Sequence, residues 1–275
     1  MVLVGSSPEE GSSEIKSTLD RFMHAGLTAR YIQCDVTNET ACLNLVSQIS
    51  DEWGPITGFI HGAGLNRPAD VSEVSMEAAF LELSPKVRGF YYIVSALDLD
   101  RLKLGIGFSS IIGSTGMYKN GWYAFSNEFM NHQIMTLSDR YPNCAWASLQ
   151  YSIWGEAGMG VKMGSDAYLA KLGIDSIPTK EGVRLLIDAV RFKLNHPQLV
   201  ITSRLGTLDT WRQILPELNS DFRFVGDVIR FEPGVELVTE TRLSLDEDLY
   251  LQDHDFNGSL LFPAVFGLEA MGQHV

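Results

Sequence analysis

Basic residues are scarce in this sequence. Lys and Arg number 21 against 34 Asp and Glu, giving a formal charge of −13 with no basic stripe. That balance argues against electrostatic capture of nucleic acid or of an anionic membrane face. Cysteine is rarer still. Cys34, Cys42 and Cys144 are odd in number and show neither CxxC nor Cys/His spacing, which disfavours a disulfide framework or a zinc site and suits a reducing cytosol. No apolar run reaches the ~20 residues that span a bilayer. MVLVGSSPEE also lacks the charged lead and long apolar region of a signal peptide. The expectation is a soluble, cytoplasmic chain without metal.

What is present is ordinary globular material, 45% hydrophobic over 275 residues, long for one average domain yet short enough for a single α/β unit. MVLV followed by Gly5, Ser6, Ser7 and Pro8 reads as a short strand entering a loop. EIKSTLDRFMHAG carries Ile15, Leu19, Phe22 and Met23 at helical spacing and stops at Gly26. ARYIQCDV is the next strand, ending in Asp35; TACLNLVSQISDEWG is a helix, and ITGFIHGAG a strand with small residues at its exit. This alternation predicts a parallel sheet with helices on both faces. Ligands of such sheets lie beyond the carboxyl ends of the strands, where Asp35, the His61 to Gly64 turn, Ser110 and the loop after Tyr151 should emerge.

The stretch from Gly107 to Asn131, GFSSIIGSTGMYKNGWYAFSNEFMN, organises the rest. An apolar run ends in Ser109 and Ser110, a Gly-rich loop follows, and Trp122 opens a helical segment. Tyr123 and Asn127, four apart, share a face. The spacing of Ser110, Tyr123 and Asn127 resembles the active site of the short-chain dehydrogenase/reductase superfamily. Most members carry Lys four residues after the tyrosine; here Asn127 stands there and Lys86 lies upstream in SPKVRG. That exchange is similar to the ketoreductase domains of polyketide synthases and animal-type fatty acid synthases. The words HGAGLNRP, LSPKVRG and FSSIIG resemble most the iterative multidomain synthases of the enediyne or polyunsaturated-fatty-acid kind.

The resemblance implies a Rossmann-like doubly wound sheet and NADPH-dependent reduction of a β-ketoacyl thioester borne on the phosphopantetheine arm of an acyl carrier protein. It makes Tyr123 the proton donor, Lys86 the ammonium that stabilises its phenolate and reaches the nicotinamide ribose, and Ser110 the hydrogen-bond partner of the substrate carbonyl. Asn127 holds a relay water or positions Lys86. Asp35 matches the position beside the adenine amino group, with Val36 next to it among the cofactor-binding residues, and Gly62, Ala63 and Gly64 the turn beside the ribose and pyrophosphate. Where the family has an Arg for the NADPH phosphate this chain has Ser6, so the residues support NADPH over NADH only weakly. Folds of this kind begin with a strand, a Gly-rich turn and a helix. No GxGxxG precedes the first strand here, so the expectation is a domain lacking its first βα unit, with apolar sheet edges left unpaired and negligible cofactor affinity for the chain alone. Leu65, Asn66 and Arg67 replace one stereochemical fingerprint, and the Trp of the other is absent near Thr115. His61 reads as structural, and Met117, Met159 and Met163 as packing around a mobile lid.

CAWASLQYSIWGEAGMG reads as strand and loop, with Trp154 to Gly160 closing over the site by resemblance. DAYLAKLGIDSIPTKEGVRLLIDAVRFKL supplies helices, and QLVITSRL a last strand. The reductase unit is expected at 1–204 and a linker at 205–225. From 226 to 275, VELVTETRLSLDEDLYLQDH alternates apolar and polar over two runs, a strand signal, and His254, Gly258 and Pro263 spell HxxxGxxxxP before the helical pattern VFGLEAM. That motif resembles the start of a hot-dog dehydratase. It implies His254 as the base that removes a proton beside a thioester carbonyl, synthase domains in cis, and a homodimer through this region. The partner aspartate of the family has no place before Val275, so dehydration by this stretch alone is not expected. Two other readings stand beside the reductase: a non-catalytic piece that scaffolds neighbouring synthase domains, and a stand-alone short-chain alcohol dehydrogenase, which residues 249–275 disfavour.

Overall fold

The computed structural model describes residues 1–164, 166–192, 196–204, 214–218, 221–232 and 235–273, and the chain divides into two compact units, Met1–Trp211 and Arg212–Val275. Strand and helix alternate through the first. In order these are β1 (Val2–Gly5), α1 (Ser13–His24), β2 (Arg30–Gln33), α2 (Glu39–Trp53), β3 (Gly58–His61), a single 3-10 turn, α3 (Met76–Ala96), β4 (Leu104–Ser110), α4 (Ile112–Thr115), α5 (Gly121–Arg140), β5 (Ala145–Tyr151), α6 (Met159–Lys162), α7 (Asp166–Lys171), α8 (Thr179–Arg191) and β6 (Gln198–Ile201). Helix starts follow side-chain caps. Ser12, Asn38 and Ser75 accept the orphan amides of Ile15, Ala41 and Ala78. The glycine-rich stretch after Ser110, read as a loop, folds as the short helix α4. The Trp154–Gly160 loop likewise ends in α6, which begins at Met159.

Strands β3, β4, β5 and β6 form one parallel sheet in that order, and β1 pairs with β2 in a second parallel sheet. Both share a helical layer. Ile32 and Cys34 from the β2 run and Phe59 of β3 pack into one core with Leu45 and Val46 of α2, Phe90 and Ile93 of α3, and Met130 and Ile134 of α5. The opposite face of β4 to β6 packs Ile106, Leu149 and Ile201 against Leu185, Leu186 and Ala189 of α8. Among the described residues β1 and β3 each keep one edge without a strand partner. Val4 is 40% and Ile60 54% exposed, although strands of covered parallel sheets are ordinarily buried on both faces.

Close packing of α5 on β4 requires a glycine. A Cβ at Gly107 would fall 2.5 Å from Ile134 Cδ1, so the missing side chain lets the helix settle against the strand and brings its first turn to the strand's carboxyl end.

In the Arg212–Val275 unit, β7 (Asp227–Glu232) pairs antiparallel with β8 (Glu236–Glu240), and β9 (Asp255–Phe256) with β10 (Ser259–Leu260) ahead of α9 (Ala264–Gly272). Asn257 and Gly258, both at positive φ, make the two-residue turn that matches strand twist. The LSLDEDLY run, read as strand, is instead turns ending in a 3-10 helix at Leu249–Leu251. Asp248 is buried there and accepts from Ser244 N–H, the Arg223 guanidinium and Tyr250 O–H, and satisfying that carboxylate bends the chain out of a ladder. Of the linker read at 205–225, residues 205–213 and 219–220 lie outside the described residues, and 214–218 have no regular secondary structure. No helix among the described residues is long and apolar enough to cross a membrane.

Candidate active site

The parallel register carries β4 and β5 out together, with Ser109 opposite Gln150 and Ser110 opposite Tyr151. Ser110 is buried, and its Oγ accepts the Ile112 amide at 3.3 Å. The first turn of α5 places Tyr123 beside it. Burial pushes the Tyr123 phenol above its ordinary value, side-chain hydrogen bonds with Ser110 and Asn127 pull it back, and the charge of Glu82 raises it again. Asn127 is fully buried. Its Nδ2 donates to the Tyr123 carbonyl at 2.7 Å, and its Oδ1 accepts from Ser109 Oγ at 3.5 Å, so it ties helix α5 to strand β4.

Lys86 enters from α3. It is 3% exposed, and its Nζ donates to the Phe108 carbonyl at 2.6 Å. Burial lowers its pKa to about 8, because an ammonium loses hydration in an apolar site. A Cβ at Gly64 would lie 2.9 Å from Lys86 Cε, so the bare backbone of the turn after β3 leaves the path that the lysine takes. His61, at the end of β3, is buried, donates from Nε2 to the Pro85 carbonyl at 2.9 Å, and sits edge-on to Phe90. Its pKa falls to about 3, through burial first and the Lys86 charge second. A ring kept neutral with that nitrogen already engaged is structural.

Lys86, Ser110, Tyr123 and Gly62 all line one cavity of 1060 Å³ at the carboxyl ends of β4 and β5, the size of a ligand pocket. Trp154, Met117, Met159, Met163 and Tyr168 make much of its apolar wall. Trp154 is seated by ring contact with Tyr151 at 4.7 Å and by Gly182, where a Cβ would fall 2.6 Å from the indole. Asn127 stands behind this wall. Ser6, Asp35, Val36, Ala63 and Gly64 are not lining residues; Asp35 Oδ1 accepts from the amide and hydroxyl of Thr37. His254 belongs to the Arg212–Val275 unit, where it is exposed and its Nδ1 lies 3.1 Å from the Tyr250 carbonyl.

Among the described residues, three polar atoms of the cavity lining are buried without a hydrogen-bond partner: Asn66 Oδ1, Asn120 Oδ1 and Ser152 Oγ. Asn120 Nδ2 already donates to the Tyr118 carbonyl at 2.9 Å, so its free oxygen is an acceptor. Buried orphans are costly, and each wants a partner from ordered water or from a bound molecule. Sequence reading singled out neither Asn120 nor Ser152, since a lone amide or hydroxyl in a loop carries no periodic signal. It also passed over Glu82, an acid on the buried stripe of α3 with Ala79, Phe90 and Ile93.

Residues 1–156 match the family model described as KR domain. The chain is 28% identical over 208 residues to polyketide synthase PksN of Bacillus subtilis, covering 73% of this chain and 4% of that protein. It is 29% identical over 197 residues to phenolphthiocerol synthesis polyketide synthase type I Pks15/1 of Mycobacterium marinum, covering 70% and 9%. It thus spans a small fraction of these relatives. Among solved structures, a ketoreductase domain from the bacillaene assembly line superposes with a TM-score of 0.65 at 25% identity, covering 73% of this chain and 48% of that one. A parallel α/β unit with Lys86, Ser110 and Tyr123 on one cavity, matched over more than half its length, belongs to the KR domains of the short-chain dehydrogenase/reductase superfamily found in polyketide synthases.

Proposed function

We propose that this chain is the reductase part of a polyketide synthase, reducing a β-ketoacyl thioester on a carrier protein to the β-hydroxyacyl thioester with NADPH. The observation that carries the reading is the meeting of Lys86, Ser110 and Tyr123 at one cavity. The residues present fit the nicotinamide end of the cofactor. The cavity is large enough at 1060 Å³, Gly62 lines it and Gly64 leaves room along Lys86, and the orphan oxygens of Asn66, Asn120 and Ser152 await polar partners. The phosphate end has no Gly-rich cradle in the sequence. The open edges of β1 and β3 support a further parallel strand from additional polypeptide, carrying such a turn at its carboxyl end.

When bound, NADPH supplies the hydride for the carbonyl carbon. Ser110 hydrogen-bonds the carbonyl oxygen and holds it as oxyanion charge grows. Tyr123 gives its phenolic proton to that oxygen, and a neighbouring Lys86 ammonium stabilises the phenolate left behind. Lys86, with its pKa near 8, remains mostly charged at neutral pH and can return a proton to Tyr123. Asn127 keeps the α5 turn on β4 so that the two hydroxyls stay paired. The apolar wall of Trp154, Met117 and Met159 takes the acyl chain.

In the Arg212–Val275 unit, His254, the turn glycine Gly258 at φ +82° and Pro263 at the head of α9 support the start of a dehydratase with His254 as its base. The test of the reductase reading is NADPH consumption with a β-keto thioester by the chain supplied with a strand, Gly-rich turn and helix segment. Consumption that depends on Tyr123 supports it. Equal turnover by Tyr123→Phe removes it.

A further inference from the structure

Glu82 lies one turn before Lys86 on α3 and is 4% exposed. It shares the buried face of α3 with Ala79, Lys86, Phe90 and Ile93, where an unpaired carboxylate is costly. Its described partner is specific. The backbone N–H of Arg67 donates to Glu82 Oε1 at 3.2 Å, and Arg67 stands between Asn66 and Pro68, two residues of the cavity wall. Asn66 Oδ1 is one of the buried oxygens without a partner. Glu82 thus holds the middle of the Asn66–Pro68 segment, whose two ends line the cavity.

Resting on the reductase reading, we propose that Glu82 is a positioning residue: its carboxylate anchors the Arg67 backbone and so fixes the Asn66–Pro68 part of the cavity wall. The charged and titratable groups facing it are Arg67 from the turn after β3, Tyr123 from α5 and Lys86 on its own helix. Arg67 lowers the carboxyl through its hydrogen bond and its charge, against the larger rise from burial. Glu82 in turn favours the neutral phenol of Tyr123, the form that donates a proton. Lys86 shows no comparable influence from Glu82; its shift comes from burial.

The test uses the full chain with ¹⁵N-labelled amides. In Glu82→Gln the amide oxygen still accepts from Arg67, so exchange of the Arg67 amide stays slow. In Glu82→Leu that acceptor is gone, and Arg67 exchange quickens by about five- to tenfold, the loss of one net hydrogen bond. A residue that merely filled space would leave Arg67 exchange alike in the two variants. Unchanged Arg67 exchange in a folded Glu82→Leu overturns the proposal. Should the leucine variant fail to fold, Glu82→Ala, which also removes the acceptor, gives the same readout. The readout uses neither cofactor nor substrate, so failure of the reductase reading would leave the measurement standing.

Discussion

Replacing Lys86 by Met removes a buried ammonium while keeping an unbranched side chain, and the pH dependence of stability should register the loss. The lysine has a pKa of about 8 in the folded chain against 10.5 when free. Below pH 8 both states are charged, and the burial penalty is fully present. Between about 8 and 10.5 the folded chain has shed the proton that the unfolded chain still holds. The unfolded state then binds more protons, and stability rises with pH. From pH 7 to pH 10 the wild-type chain should gain about 2–3 kcal/mol relative to Lys86→Met, whatever other groups common to both do. Urea unfolding followed by tryptophan fluorescence isolates the effect, because all five tryptophans lie within Met1–Trp211. A wild-type minus variant difference that stays flat across this range would show that Lys86 is hydrated, and the argument for a dry, pre-formed site would fail.

Gly107→Val drives a side chain into Ile134 and Met130 and should destabilise the first unit by about 1–3 kcal/mol, measured by the same unfolding. Gly64→Ala crowds Lys86 Cε and should displace the ammonium from the Phe108 carbonyl, moving the Lys86 titration seen by ¹⁵N NMR while the core stays folded. In the second unit, Asp248→Ala strips three donors of their acceptor and should lower the melting temperature of an isolated Arg212–Val275 fragment, provided the wild-type fragment shows a transition of its own. Asn127→Ala cuts the tie between α5 and Ser109 and should speed exchange of the Tyr123 amide region without unfolding the sheet.

The parallel sheet was legible because its strands are apolar runs between helices that announce themselves by caps at Ser12, Asn38 and Ser75. So was the meeting of Lys86, Ser110 and Tyr123, through spacing and through resemblance to a known active site. Glycines were legible as breaks but not as contacts. Only the structure shows that Gly107 admits α5 and that Gly64 clears a path for Lys86. The short helices α4 and α6 were hidden in Gly-rich text that propensity assigns to loop; packing over the cavity overrides it. The LSLDEDLY run misled for a related reason, since alternation cannot tell a strand from a turn organised around one buried carboxylate, Asp248. The Asn257-Gly258 hairpin, by contrast, was written plainly and passed over, because Gly258 was read as part of a motif.

The most direct test of the account is the rate of NADPH-dependent reduction of a β-keto thioester, followed by loss of cofactor absorbance, in the chain supplied with a Gly-rich strand–turn–helix segment. Wild-type turnover should fall by at least about a hundredfold in Tyr123→Phe, the scale of a lost general acid, with folding unchanged by circular dichroism. Turnover retained in that variant would contradict the claim that Tyr123 delivers the proton at the cavity it shares with Lys86 and Ser110.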